Sequence, residues 1–206
     1  MTLNEAISKI WDESVLWGWV HPRIPSLFFR VLRRDVSRTN QDGSAASGMT
    51  FYAFDRGSSV AALLHEIDTD TVILIRQYRA GVNKIEIEIP AGMLEINEDP
   101  EVAVMREVFE ETGYGSFVSL KKMFSLSMSP GGSTEISHSF YIRVKSTDKT
   151  GEGGGLLSEN EFLDVLRLPA SEAILMIHSQ GRKNPLITDA KTVAALLWLE
   201  NQRLSK

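Results

Sequence analysis

The 206-residue sequence contains no cysteine, which removes disulfides, thiolate nucleophiles and cysteine metal ligands from consideration. It also lacks any apolar run approaching the roughly 20 residues that a membrane-spanning helix needs. Positive charge is in deficit: 22 Lys and Arg against 27 Asp and Glu leave a net charge of −5. That balance argues against a chain held to nucleic acid or to a membrane surface by bulk electrostatics. It leaves an anionic small-molecule substrate open, because a bound cation reverses the local sign. The opening stretch MTLNEAISKIWDES has neither the basic start nor the apolar core of a secretion signal, so a cytoplasmic protein is expected. No internal repeat is visible.

What is present is ordinary for a globular chain: 43% hydrophobic and 24% charged residues, at a length that suits one domain with an elaboration. Apolar residues at Leu3, Ile7, Ile10, Trp11 and Leu16 stand near helical spacing, so the periodicity predicts a short helix over 3–17, ended by the prolines of HPRIP. Strands are expected at LFFRVLRRDVSR (27–38), FYAFDRG, SVAALLHEI and DTVILIRQYRA, with IDTD as a hairpin turn. KIEIEIP alternates strictly, which predicts a half-buried strand with Glu86 and Glu88 on one face. Further strands are read at KKMFSLSMS, ISHSFYIRVK and EFLDVLRLP, and helices at SEAILMIHSQ and DAKTVAALLWLENQ. The stretch TDKTGEGGG (147–155) reads as a flexible surface loop; it lacks the preceding strand and following helix of a phosphate-binding loop. The expected class is α/β, with mostly antiparallel strands and helices packed on the sheet.

The chemistry concentrates in 92-GMLEINEDPEVAVMREVFEETGY-114, where seven residues are acidic and Arg106 alone is basic. Asp99 and Pro100 supply a helix cap and first position, and Gly113 a stop. On a helix turning about 100° per residue, Glu111 falls about 40° to one side of Glu107, and Glu110 about 60° to the other. Ala103 shares that face, and Val102, Met105 and Phe109 are placed opposite, where they are expected to bury against a sheet. Like charges this close repel. The face is either a solvated acidic surface or the holder of a cation. Three features favour the cation: the tight approach through Ile89-Pro90-Ala91-Gly92, which aims carbonyls at the helix, the neighbouring Arg106, and the bracketing Gly92 and Gly113. Arg106 can orient a carboxylate through paired hydrogen bonds, and carboxylate and carbonyl oxygens are what hard divalent cations prefer.

Gly92, Glu98 and the run Arg106-Glu107-Val108-Phe109-Glu110-Glu111-Thr112-Gly113-Tyr114 together resemble the signature of the Nudix hydrolases. The resemblance covers those 23 residues directly and extends, through flanking features, from about residue 51 to the end of the sequence. It implies a mixed sheet sandwiched between helices, the signature forming a loop, a helix and a loop. It also implies hydrolysis, assisted by Mg2+ or Mn2+ with two or more ions per site, of a nucleoside diphosphate linked to another group. By the same resemblance Glu107, Glu111 and the Ala91 carbonyl are metal ligands, Glu110 is a further ligand or a supporting acid, Arg106 orients Glu107, and Glu98 supports the loop.

Three further stretches are similar to the branch that cleaves ADP-ribose and nucleoside diphosphate sugars: Glu88-Ile89-Pro90-Ala91-Gly92, Ile75-Arg76-Gln77-Tyr78-Arg79, and Ser129-Pro130-Gly131-Gly132-Ser133-Thr134-Glu135. Pro130 stands at a position where the diadenosine-polyphosphate branch carries tyrosine. The resemblance implies that Glu135, on a glycine-rich loop, helps to activate the attacking water. It implies that Arg56 and Arg79 contact phosphates or the terminal sugar; surface ion pairs are the other reading of both. Met93 is expected to line the pocket or to fill the core. MSPGGSTE, GEGGG, EFLDVLRLP and DAKTVAALLWL look like the bacterial GDP-mannose hydrolases, whereas EIPAG is more typical of the ADP-ribose enzymes. ADP-ribose, giving AMP and ribose 5-phosphate, is the favoured expectation, with GDP-mannose, giving GMP and mannose 1-phosphate, next.

Residues 1–50 precede the Nudix-like domain of 51–206 and carry Trp11, Trp17, Trp19, Phe28 and Phe29. That density of aromatics suits a buried interface, and the extension is expected to join two copies in a homodimer; an intrachain core is the alternative. A non-catalytic ligand-binding regulator is the other class of function. The retained Glu107, Glu110 and Glu111 speak against it.

Overall fold

The architecture is taken from a computed structural model, which describes residues 7–20, 28–40, 42–55, 57–156, 163–178 and 186–205, with side chains described from residue 30 onward. The chain divides into two compact units, Met1–Gly57 with Ser129–Glu135, and Ser58–Met128 with Ile136–Lys206.

The first unit is a three-stranded antiparallel sheet of β1 (Ile7–Val20), β2 (Phe28–Arg38) and β3 (Met49–Asp55). The helix expected over 3–17 is therefore corrected to strand from Ile7 onward. The segment holds β-branched Ile7, Ile10, Val15 and Val20 and three tryptophans, residue types that fit a pleated surface better than a helix. Its pairing runs from Ile7 opposite Arg38 to Val20 opposite Phe28, with three register shifts. The side chains of Trp11, Trp17, Trp19, Phe28 and Phe29 lie outside the described residues. The loop Ser129–Glu135 docks on β3: Phe54 N–H donates to Gly132 O at 2.7 Å, Thr134 N–H to Phe54 O at 3.1 Å, and the Thr134 hydroxyl to Asp55 Oδ1 at 2.5 Å.

The second unit is a seven-stranded mixed sheet. Its strands are β4 (Ser59–Glu66), β5 (Thr71–Arg79), β6 (Lys84–Glu88), β7 (Ala91–Met93), β8 (Ser119–Ser127), β9 (Ile136–Val144) and β10 (Leu163–Pro169). The order is β10-β5-β4-β9-β8, with β6 beside β5 and β7 beside β4. Every pairing is antiparallel except β4 with β9. Among the described residues its helices are α1 (Pro100–Thr112), α2 (Ala170–Met176) and α3 (Ala190–Leu204).

The central strand β4 explains the layering. All eight of its residues are buried, and their side chains alternate between faces. Ala61 and Leu63 join a core with Ala173, Ile174, Ala195, Leu196 and Leu199 of α2 and α3. Val60, Ala62 and Leu64 join a second core with Ala103, Val104 and Val108 of α1. The sheet is thus sandwiched between helices, as the signature's resemblance implied. The charged end of β4 is bolted by Glu66, which has no exposed surface. It accepts hydrogen bonds from the Tyr114 hydroxyl, from Thr69 at 2.6 Å and from Arg167 at 2.5 and 3.1 Å. Burial pushes the Glu66 carboxyl up, but Arg167, Thr69 and Tyr114 outweigh it and hold it below the usual range.

The loop 147–155 is not the free surface loop that its glycines suggest. After a 3-10 turn at Ser146–Asp148 it folds back on the end of α1, where Thr150 and Gly151 N–H both donate to Gly113 O at 2.9 Å. Its glycines permit close backbone contact rather than mobility.

Candidate active site

Helix α1 begins and ends where its caps place it. Asp99 Oδ1 accepts from Glu101 N–H at 2.8 Å, Pro100 occupies the first turn, and Gly113 closes the helix at φ 81° with its N–H on Phe109 O. The facing differs from the sequence expectation. Val102 and Phe109 are 54% and 48% exposed, while Glu107 and Glu111 are 7% and 1% exposed. Ala103, Val104 and Val108 bury against the sheet, and the acids turn inward beside them. The expected burial of Val102 and Phe109 is corrected by this. Two carboxylates have taken the place on the inner face that apolar residues ordinarily fill.

Local partners make that burial tolerable. Arg106 donates to Glu98 twice, at 3.0 and 3.1 Å, to Glu107 Oε1 at 2.8 Å, to Glu110 Oε2 at 3.1 Å and to Met93 O at 3.3 Å. One guanidinium therefore spans three carboxylates and ties the helix to β7. Glu98 foremost, then Glu107, raises the Arg106 guanidinium above its ordinary range against the opposing effect of burial. Arg106 in turn holds the Glu98 carboxyl below the usual carboxylate range. Glu98 also accepts from Glu95 N–H at 3.0 Å, which fixes the loop before the helix.

The strand β7 comes up close above the acids. A Cβ at Gly92 would lie 2.0 Å from the Glu107 carboxylate, so a side chain there would displace that carboxylate. Ala91 offers its amide rather than a carbonyl in the contact shown: its N–H donates to Glu111 Oε2 at 2.9 Å. β7 pairs with β4, Ala91 opposite Ala61, Gly92 opposite Val60 and Met93 opposite Ser59, which carries the glycine over the helix. No strand was expected at 91–93 from the sequence pattern.

A second charged cluster stands at the end of β5 and β6. Arg79 clasps Glu88 with Nε at 2.7 Å and a terminal nitrogen at 3.0 Å. Lys191 of α3 also bonds Glu88, and reaches Asp189 at 2.9 Å. Burial pushes the Glu88 carboxyl up, but Arg79 and Lys191 overcome it and leave it below the usual range. Burial opposes the charge of Arg79, and Glu88 more than restores it, with Glu111 among the charges that help. Arg79 is thus ion-paired to a buried acid and within the electrostatic reach of α1. Lys191 is a residue that sequence reasoning missed; its partner lies 103 positions away, and no local pattern points to it.

Other expected residues are placed as follows. Met93 is in β7, half-buried, with its carbonyl on Arg106. Glu135 belongs to the first unit, at the end of the loop docked on β3, where its N–H donates to the Ser133 hydroxyl at 3.2 Å. Arg56 lies outside the described residues. Its neighbour Asp55 is held by Arg30, Thr134 and Gly57 N–H. Among the described residues, no three acidic or histidine side chains close into a ready metal cage. The donors nonetheless suit a hard cation. They are carboxylates, two of them turned inward, and Glu107 fills the space that the missing Cβ of Gly92 leaves.

A mixed sheet between helices, with this acidic helix clamped beneath a glycine strand, is the arrangement that the resemblance of the signature implied, and the comparisons with known proteins make it a pyrophosphatase-type hydrolase. The NUDIX domain model matches residues 55–187, and the chain belongs to the Nudix family. It is 41% identical over 157 residues to a GDP-mannose pyrophosphatase of Escherichia coli (strain SMS-3-5 / SECEC), covering 73% of this chain and 78% of the relative. The same figures relate it to a GDP-mannose pyrophosphatase of Shigella boydii serotype 4 (strain Sb227). Among solved structures, a crystal structure of an ADP compounds hydrolase superposes with a TM-score of 0.64 at 22% identity, covering 95% of this chain and 98% of that one. That last likeness concerns the fold. Among the described residues, no helix is long and apolar enough to cross a membrane.

Proposed function

We propose that the chain hydrolyses the pyrophosphate of a nucleoside diphosphate sugar with Mg2+ or Mn2+ bound, two or more ions per site. The observation that carries this reading is the inward turn of Glu107 under Gly92 and of Glu111 onto the Ala91 amide, with Arg106 bridging Glu107 and Glu110. Glu107, Glu111 and the Ala91 carbonyl would hold the cations, with Glu110 as a further ligand or supporting acid. When bound, the cations neutralise the anionic pyrophosphate and lower the pKa of a coordinated water.

The chain's own residues do the rest. Arg106 fixes the carboxylate of Glu107. Arg79, with Arg56, contacts phosphates or the terminal sugar, and Glu88, itself bonded by Lys191, holds Arg79 in place. Met93 lines the pocket. Glu135 accepts the proton of the attacking water; the new bond forms between that oxygen and one phosphorus, the anhydride P–O bond breaks, and the products are a nucleoside monophosphate and a sugar phosphate.

GDP-mannose, giving GMP and mannose 1-phosphate, is the first substrate to test, because relatives of that name share 41% identity over most of the chain. ADP-ribose, giving AMP and ribose 5-phosphate, is the second, on the EIPAG stretch at 88–92. The assay incubates the protein and Mg2+ with GDP-mannose, ADP-ribose, UDP-glucose, NADH and diadenosine polyphosphates, and reads products by mass. Cleavage of the diadenosine compounds alone would overturn the reading.

The protein is read as a cytoplasmic homodimer joined through residues 1–50, with no nucleic-acid or membrane partner. The exposed Phe51, Tyr52 and Phe54 on β3, next to that segment, support a covered face there. Light scattering at micromolar concentration is expected to give twice the 23.0 kDa of one chain; a monomer refutes the dimer.

A further inference from the structure

The last carbonyls of an α-helix have no partner within the helix, and a helix end frays unless something holds it. In α1 two of those carbonyls belong to acids, Glu110 and Glu111. The Gly113 cap uses Phe109 O, which leaves Glu110 O and Glu111 O unserved by the helix's own turn. Both are taken by the glycine loop some forty residues on: Gly154 N–H donates to Glu111 O at 2.8 Å, and Gly155 N–H to Glu110 O at 3.2 Å.

The contact excludes side chains on both sides. A Cβ at Gly153 would lie 2.6 Å from the Thr112 carbonyl carbon and 2.7 Å from Glu111 O, and its φ of 74° is in the left-handed region. A Cβ at Gly113 would lie 2.2 Å from Gly151 O. Thr150 and Gly151 close the ring by donating to Gly113 O. The negative end of the helix dipole adds to the charge of Glu110 and Glu111; two amides aimed at those carbonyls offset it where the acids crowd.

We propose that the loop 150–155 sets the register of the acids, with Gly153 and Gly154 as positioning residues for the cation site. The inference rests on the cation reading given above. A misplacement of about 1 Å in such a site costs about 100-fold in rate, so a loop that locks the main chain of two acids governs how well they hold an ion.

The test measures Mn2+ binding without substrate, by the paramagnetic resonance signal of free Mn2+, for the parent, Gly153→Ala and Glu152→Ala. Gly153→Ala is expected to bind Mn2+ about tenfold or more weakly and to lose kcat far more than it changes KM, with an unchanged far-UV circular dichroism spectrum. Glu152→Ala, exposed in the same loop, is expected to match the parent in both. A folded Gly153→Ala with parental Mn2+ affinity overturns the inference, because a merely structural loop would lower thermal stability and leave ion binding alone. If Gly153→Ala does not fold, Gly154→Val takes its place. Its Cβ meets nothing nearer than 4.0 Å, yet its φ is driven from 102°, so the amide contact breaks without crowding; parental affinity there overturns the inference equally. A parent that binds no Mn2+ is a different failure: it removes the cation role of the acids, and this inference with it.

Discussion

Gly92→Ala is the smallest change that reaches the acids. The added Cβ would lie 2.0 Å from the carboxylate of Glu107, where ordinary contact starts at 3.4 Å. Glu107 must retreat by about 1.4 Å, or β7 must lift by as much. β7 is pinned on its other side by Val60 and Ala61, so most of the movement falls on the carboxylate and on its bond from Arg106. A displacement of about 1 Å in a reacting geometry costs about 100-fold, equivalent to about 2.7 kcal/mol of lost transition-state stabilisation. The expected result is a kcat about 100-fold below the parent on the best substrate of the panel, with the far-UV spectrum retained. Steady-state kinetics over a range of Mg2+ then separates a displaced ligand from a weakened one, since saturating Mg2+ rescues only the second. A Gly92→Ala protein with parental kcat and parental Tm would refute the reasoning, because it would mean that Glu107 does not work where it lies.

Three other outcomes check the reading. Glu111→Gln keeps the shape and the acceptor for the Ala91 amide but removes the charge; turnover is expected to fall by about two orders of magnitude or more while the fold survives, and hydrolysis at the parental rate would show that Glu111 holds no cation. Glu135→Gln is expected to lower kcat much more than it raises KM, whereas an effect confined to KM would make Glu135 a binding residue. Glu66 gives a pH signature: its folded carboxyl lies below the ordinary value of 4.5, so its contribution is fully present above pH 4.5 and is lost as pH falls through the folded value. Glu66→Gln is accordingly expected to lower Tm at pH 7, by the equivalent of about 1–3 kcal/mol, and to close the gap to the parent as the solution is acidified below pH 4.5; a gap that stays constant with pH would show that the charge of Glu66 is not what Arg167 and Tyr114 stabilise.

The limits of helix α1 were legible because they are set locally: Asp99, Pro100 and Gly113 act within a few residues of the turns they cap. The strand β4 was legible because a run of eight buried residues has few other homes. The facing of α1 was not, because the rule that apolar residues turn inward fails where inward carboxylates have their own partners. Those partners are Arg106, which any reader of the sequence could see, and Gly92, whose meaning is the atom it lacks. β6 shows the same inversion, with Glu86 and Glu88 buried and Ile85 exposed; the cations and hydroxyl that receive those acids, on Arg79, Lys84, Thr188 and Lys191, are mostly remote in sequence. β1 was misread because its helical spacing and its strand composition conflict, and pairing with β2 decides between them.

The inward acids also bear on how a cation would be received. Glu107 and Glu110 share the guanidinium of Arg106, so their mutual repulsion is already offset before any ion arrives. In the proposed site a divalent cation would therefore not enter an unbalanced cluster; it would compete with Arg106 for Glu107 Oε1 and Glu110 Oε2. Arg106 has somewhere else to go, because Glu98 takes two of its hydrogen bonds and Met93 O a third. The guanidinium can yield Glu107 and Glu110 without leaving its socket, and a cation could take those oxygens without leaving the positive charge of Arg106 unpaired. This arrangement predicts opposite effects for two substitutions of one residue pair. Glu98→Gln loosens the socket and leaves Arg106 more tightly committed to Glu107 and Glu110, so Mn2+ affinity should fall, whereas Arg106→Gln frees the oxygens and should lower kcat while leaving Mn2+ affinity equal or higher. Parallel titrations of the two proteins by the free-Mn2+ signal decide the matter: equal losses of affinity in both would mean that Arg106 shapes the carboxylates and does not compete for them.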